Sequence, residues 1–333
     1  MKSPEQWTRE ELHTHLQQAI DLEFWTIPLY LSALYSIEGL DELERDDHPV
    51  AAKLLAAVAI QEMLHMELVC NLANALGHEP TISRPRYDDV QRIPFIQPDP
   101  NQLPSELHGF EVRIGPLDEN QLKLFCAIEF PDSPVRDPWE EKQAYDSIGE
   151  FYEALRIGVA HHWDACFIGE DVARWQVGVF EGYTPKLNPD IGFSQTIVDR
   201  DSALNAIDAI IAQGEGASEA NIPPQFEPPR QHEASDAKPG WFEPQLSHYQ
   251  KLSIILGNLD HLPAVYPLLP QDNAQAEAQV QLSELFTDLL GQMNVAFRPE
   301  GAGLSGNFWS CMGGMEQRIR AVWKAGGVPS FEG

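Results

Sequence analysis

Apolar residues recur at three- to four-residue intervals from Leu12 through Leu16, Ile20, Ile27, Leu31 and Leu34, the spacing of one face of a helix. Thr8 precedes Glu10 and Glu11, so a helix starting at Thr8 has a capping hydroxyl and acids at the positive end of its dipole. This first helix is expected to reach about Ile37, with a bend at Pro28, whose ring removes a backbone hydrogen bond. Glu23 falls on the same stripe as Leu16, Ile20 and Ile27, which makes it an acid on an apolar face. After Gly39 an acidic loop, Asp41 to Asp47, leads through His48-Pro49 into a second apolar run, Val50 to Leu76. No Pro or Gly interrupts it from Ala51 until Gly77, so a helix of about seven turns fits. Leu54, Leu55, Val58, Leu64, Leu68 and Leu72 make that helix a largely buried one.

From Pro80 to Pro138 the pattern changes. Prolines recur, and short runs such as Phe110-Glu-Val-Arg-Ile and Leu122-Lys-Leu-Phe-Cys-Ala-Ile read as loop and strand. Residues 80–138 are therefore expected to form an insertion between helices two and three. A third helix is expected from about Glu140 to Gly169, and a fourth from near Asp201 through Leu204, Ile207, Ile210 and Ile211 to Gln213-Gly-Glu215-Gly216. A polar, Pro-rich stretch at 217–240 has the composition of a flexible insertion within that fourth helix, and helix resumes at Phe242. Two more amphipathic helices are expected, near Ala274 to Phe297 and Phe308 to Ala325. The chain thus reads as mainly α: a four-helix bundle over residues 8–260 with a loop and strand insertion, then a C-terminal helical extension, 261–333, packed on the bundle. Gly301-Ala-Gly303-Leu-Ser-Gly306 matches a dinucleotide-binding glycine pattern, but no strand precedes it, so it reads as a loop.

Charge narrows the function classes. Among 333 residues, 22 Lys and Arg face 51 Asp and Glu, a net charge of -29. Such a field repels phosphate backbones and anionic lipid, which argues against nucleic acid and membrane as partners. The cysteines Cys70, Cys126, Cys166 and Cys311 form no C-x-x-C pair and suit reduced thiols in a cytoplasmic protein. The N-terminal sequence lacks an apolar signal core, and no run of 18 wholly apolar residues occurs, so neither standard export nor a membrane span is expected.

The candidate chemistry centres on Glu62-Met-Leu-His65. Residues three apart share a helix face, so this Glu and His can grip one ion. Burying both without compensation costs several kcal/mol or shifts their pKa values until charge is lost, and a divalent metal would remove that cost. Dimetal helical bundles take one Glu from each of two helices and Glu-x-x-His from each of the other two. The chain offers Glu23, then Glu62 with His65, then Glu150 or Glu153. Its literal fourth motif is Gln245-Leu-Ser-His248, with an amide in place of the acid. The alternative is that Glu215 and His248 meet across the insertion, so that four carboxylates balance two divalent ions. Glu67 reads as a neighbour of the site or an exposed acid, His161 and His162 as surface or core residues, and Tyr30 and Trp25 as packing.

Leu16-Gln-Gln-Ala-Ile-Asp-Leu-Glu-Phe-Trp-Thr-Ile-Pro-Leu-Tyr-Leu, the Glu62 segment with Cys70-Asn-Leu-Ala-Asn-Ala-Leu-Gly, Ser147-Ile-Gly-Glu-Phe-Tyr, Gln213-Gly-Glu-Gly and Ser247-His-Tyr together resemble the ferritin-like domain of iminophenyl-pyruvate dimer synthases. The resemblance covers about residues 8 to 260. It implies a ferritin-like four-helix fold and O2-dependent, iron-based oxidation of a small organic, aromatic amino-acid-derived substrate. By position it favours Glu150 over Glu153 and supports Glu215 and His248. The implied cofactors are two Fe ions. Two Mn ions suit much the same donors, and a catalase-like or iron-handling protein without an organic substrate is the alternative. A homo-oligomer is compatible with this reading.

Overall fold

The computed structural model describes residues 1–87, 96, 103–131, 138–178, 196–214, 246–299, 301 and 303–332, the side chain of Glu140 apart. Eight α-helices lie among these residues: α1 (Arg9–Tyr35), α2 (Val50–Ala75), α3 (Glu119–Ile128), α4 (Ile148–Cys166), α5 (Arg200–Gly214), α6 (His248–Leu256), α7 (Asn273–Ala296) and α8 (Gly306–Lys324).

The first two helices run unbroken. Thr8 caps α1 by accepting from the Glu11 amide at 3.2 Å, and the Glu11 carboxylate accepts from the Thr8 amide at 2.7 Å, a reciprocal arrangement that satisfies two otherwise orphaned donors. Pro28 is accommodated inside α1. The two helices are antiparallel: His13 meets the Leu76 carbonyl near one end at 3.0 Å, while Thr26 donates to Glu62 further along. α2 is long and apolar enough to cross a membrane, but 89% of its most apolar window is buried within the protein.

The other two rods of the bundle are each cut in two. Moving down α1 from Tyr30 to Arg9, the neighbours are Phe125 and Glu129 of the third rod, then Tyr152, then the Cys166 carbonyl. α3 and α4 therefore follow one another along α1. Likewise Gln61 and Glu62 of α2 meet Lys251 and His248 of α6, whereas His65 meets Gln213 of α5. Both interruptions, between α3 and α4 and between α5 and α6, fall at the level of Glu23 and Glu62.

Two expectations need correction. The Leu122–Ile128 run is helix α3 rather than strand, and among the described residues only isolated bridges occur, Ile37 with Val265 and Ile96 with Tyr145. Asp118 caps α3 by accepting from the Gln121 amide at 2.9 Å, and the buried Leu122, Phe125 and Cys126 follow a helical interval. The third expected helix begins at Ile148, not Glu140, because Ser147 caps it and only a short 3-10 turn, Trp139–Glu141, precedes it. The resumption expected at Phe242 falls outside the described residues, as does 217–240, and α6 is described from His248.

α7 and α8 pack on the outer side of α1 and α2. The Trp323 indole donates to the Ser32 carbonyl at 2.9 Å, and Asn74 donates to the Phe297 carbonyl at 2.9 Å. Gly301 and Gly303 lie in the connection between these two helices, and Gly306 opens α8.

Candidate metal centre

Glu23 on α1, Glu62 and His65 on α2, Glu129 at the end of α3 and His248 at the start of α6 converge at the level of the two interruptions. All five are buried, His248 completely. Glu62, His65 and His248 each bring a ligand-type atom within 4.8 Å of the others. The cluster has two halves that share Glu62. In one, His65 Nδ1 lies 3.4 Å from Glu23 Oε2 and 3.8 Å from Glu62 Oε1. In the other, His248 Nδ1 lies 2.8 Å from Glu62 Oε1 and 3.5 Å from Glu129 Oε2. The two imidazoles face each other with ring centroids 5.2 Å apart.

The donor set fits metal better than it fits itself. His65 Nε2 lies 3.0 Å from the Gln213 side-chain oxygen, so Nε2 carries the hydrogen and Nδ1 turns a lone pair toward two carboxylates. Among the described residues, neither ring nitrogen of His248 has a well-aligned hydrogen-bond partner, although Glu62 Oε1 lies 2.8 Å from Nδ1. Lone pairs facing carboxylate oxygens repel unless a cation or proton intervenes. Among the described residues, no Lys or Arg pairs with Glu23, Glu62 or Glu129, and each uncompensated buried ion costs several kcal/mol.

Protonation carries the same stress in the absence of metal. Burial pushes Glu23 up to about 8, against a hydrogen bond from Tyr152. Burial and the charges of Glu129 and Glu23 raise Glu62 to about 7. Burial lowers His65 to about 4 and so keeps it neutral. His248 is also buried, but Glu129 and Glu62 outweigh that and raise it to about 9. Glu129 ends below the ordinary carboxylate value because His248 and the Tyr30 hydroxyl overcome its desolvation.

Hydroxyls fix the carboxylates in place. Tyr30 donates to Glu129 Oε1 at 2.6 Å, Tyr152 donates to Glu23 Oε1, and Thr26 donates to Glu62 Oε2. Each uses one carboxylate oxygen and leaves the other facing the cluster. A void of about 10 Å³ adjoins Glu23, Glu62, His65 and Glu129, room for one small occupant. Leu22, Ile148, Ile210 and Ile211 supply its apolar wall.

Glu150, expected as a ligand, is not in this cluster. Its carboxylate pairs with Lys142 at 2.9 Å and accepts from the Asp146 amide at 2.8 Å, while its own amide donates to Ser147 at 2.9 Å. Ser147-Ile-Gly-Glu150 is thus a helix-start arrangement, and Glu129 occupies the place expected for Glu150. Glu153 is half-buried beside Arg156, also away from the cluster. Glu215 and Gln245 lie outside the described residues. Glu67 is fully buried but lines a different, apolar cavity. Trp25 packs, donating to the Arg86 carbonyl at 2.9 Å, whereas Tyr30 does more than pack. Sequence reading missed Glu129, although Leu122, Phe125, Cys126 and Glu129 repeat the acid-on-an-apolar-stripe pattern that singled out Glu23.

A ferritin-like family model matches residues 16–257, most of the chain and all five clustered residues. The chain belongs to the ferritin-like family. Over 242 residues this ferritin-like chain is 26% identical to a 2-imino-3-(indol-3-yl)propanoate dimerase of Chromobacterium violaceum, a match covering 63% of this chain and 21% of that enzyme. The chain therefore spans about a fifth of the length of that relative. A ferritin-like protein from Caulobacter vibrioides of known crystal structure is 30% identical, with a TM-score of 0.75, over 98% of this chain and 99% of that one.

Proposed function

We propose that this ferritin-like chain is a di-iron oxidoreductase that uses O2 to oxidise a small aromatic substrate derived from an amino acid. The observation that carries the proposal is the buried division of three carboxylates and two imidazoles into two halves sharing Glu62. Glu23, Glu62 and His65 would hold one ion, and Glu62, Glu129 and His248 the other. Bound iron would supply the electrons and the coordination positions for O2. Carboxylate ligands suit redox-active metal because their oxygens can bridge or bind terminally as charge changes. Gln213 holds the His65 tautomer, and Tyr30, Tyr152 and Thr26 hold three carboxylate orientations. The aliphatic wall around the void lowers access by water and keeps the local dielectric low. Glu215, next in sequence to Gly214 at the void, is proposed as a further ligand. The substrate class rests on the similarity to the imino-indolyl-propanoate dimerase and on the amino-acid stretches shared with dimer synthases.

Anaerobic reconstitution with Fe(II), followed by admission of O2, tests this reading. The expected result is about two tightly bound Fe per chain in wild type and loss of that metal in Glu62→Ala and Glu129→Ala, with O2 uptake stimulated by aromatic 2-imino or 2-oxo acids. Equal, sub-stoichiometric metal in wild type and Glu62→Ala would overturn the metal centre. Tight binding of Mn with peroxide breakdown, or iron accumulating far beyond two per chain, would instead favour the catalase-like or iron-handling alternative.

A further inference from the structure

A second cavity, of about 140 Å³, lies between the α1–α2 pair and the α7–α8 pair and shares no lining residue with the void at the metal cluster. Its lining residues sit one position along from the cluster: Phe24 after Glu23, Ile27 after Thr26, Met63 after Glu62 and Met66 after His65. One residue turns a helix face by about 100°, so α1 and α2 present the polar cluster on one side and this cavity on the next.

The composition of the cavity is unusual. Of the protein's six methionines, five line it: Met63, Met66, Met293, Met312 and Met315. Phe24 and Phe286 stand parallel at 6.0 Å, and Phe308 and Trp309 lie at the α8 side. Trp309 is 51% exposed, which puts a wide, flat side chain where the cavity meets solvent. Among the described residues, the charged ones in the lining are the acids Glu67 and Glu316. Protein interiors seldom keep a void much larger than a water molecule. A cavity of roughly 150 Å³ with aliphatic and aromatic walls accepts benzene, and thioether sulfur makes favourable contacts with ring edges while adapting to shape.

We propose that this cavity is a binding site for a small neutral ring compound, of benzene to indole size, separate from the metal centre. The volume admits one ring or a fused pair with some opening of the mouth. Among the described residues its walls are mostly aliphatic, aromatic and thioether groups, without the array of polar groups that a sugar or nucleotide needs. Among the described lining residues there is no Lys or Arg, and Arg320 is already paired with Glu316 at 2.6 Å, so the walls offer a carboxylate no open cationic partner. The proposal does not depend on metal being bound.

Methionine NMR tests it on the full-length protein. With [methyl-13C]methionine labelling, toluene and indole should shift the methyl signals of the five cavity methionines saturably, while Met1 serves as the unmoved reference. Benzoate at the same concentrations should leave all six in place. Met312→Trp, which fills the space from its partly exposed side, should abolish the shifts, with circular dichroism verifying that the variant folds. Met63→Leu keeps the volume and should retain the response of the remaining four. Absence of saturable shifts up to the solubility of toluene would overturn the proposal, as would equal shifts with benzoate. It would also fail if the wild type is a dimer that Trp309→Glu dissociates and toluene binds neither form, because a second copy would then be what covers the mouth.

Discussion

At the scale of single residues, the buried Glu/His cluster is held by groups that touch its acids without belonging to the expected ligand pattern. Tyr30 and Tyr152 each occupy one oxygen of a carboxylate and leave the other for the centre. Such supporting partners typically change metal affinity by roughly ten- to a hundredfold, so Tyr30→Phe and Tyr152→Phe should each weaken Fe(II) binding by about that factor in a competition titration. Unchanged affinity in both would remove their assigned role. Away from the centre, His15 stacks on Trp7 at 3.8 Å, its Nδ1 donates to the Glu11 carbonyl at 2.7 Å, and its Nε2 accepts from Tyr145 at 2.9 Å. Burial lowers its pKa below the ordinary value. The unfolded chain therefore binds the proton more readily, and the His15 contribution is complete above about pH 6.5 and is lost as pH falls toward the folded value. The difference in Tm between wild type and His15→Gln should shrink from pH 7.5 to pH 5; a constant difference would contradict this. Glu23 was readable as an acid on an apolar stripe, Glu62 and His65 as a pair three residues apart in an apolar run, and His248 through Gln245-Leu-Ser-His248 and the resemblance. Glu129 was not, because Leu122-Lys-Leu-Phe-Cys-Ala-Ile fits both the two-residue and the helical period. Glu150 misled because a Glu three residues after Ser also serves a helix start.

At the scale of helices, the two unbroken rods were easier to read than the two cut ones. Thr8 with Glu11, and the absence of Pro and Gly across α2, mark α1 and α2 directly, whereas α3 and α6 have only 10 and 9 residues. Helices that short carry few periods of any pattern, and tertiary contacts decide them. Packing between elements is tight where α4 passes the N-terminus. A Cβ at Gly158 would run into the Trp7 ring, and that ring is in turn held by His15. Gly158→Ala should therefore destabilise the protein by about 1–3 kcal/mol through overpacking, more than the helix propensity of Ala returns. Chemical denaturation measures this; a stabilised variant would show that Trp7 moves aside freely. The Gly39 turn, with φ 70°, poses no such conflict, because a Cβ there meets nothing within 4 Å, and only backbone strain opposes substitution.

At the scale of the whole molecule, the acids divide into those that give the chain its charge of -29 and the few that enter the bundle. Composition announced the first group and concealed the second. The extension after the bundle was legible as two amphipathic helices, but the cavity beneath it was not, since Met63 and Met293 are 230 positions apart in the chain. The cut third and fourth rods have a mechanical consequence. Glu23, Glu62 and His65 stand on continuous helices, whereas Glu129 and His248 stand at the ends of α3 and α6. A metal ion at the centre would act as a rivet, fastening the ends of two short helices to the two long ones. Chelation should thus speed amide hydrogen exchange at 125–131 and 248–252 well before it reaches 59–66, and a uniform rise along all three segments would mean that no such fastening exists.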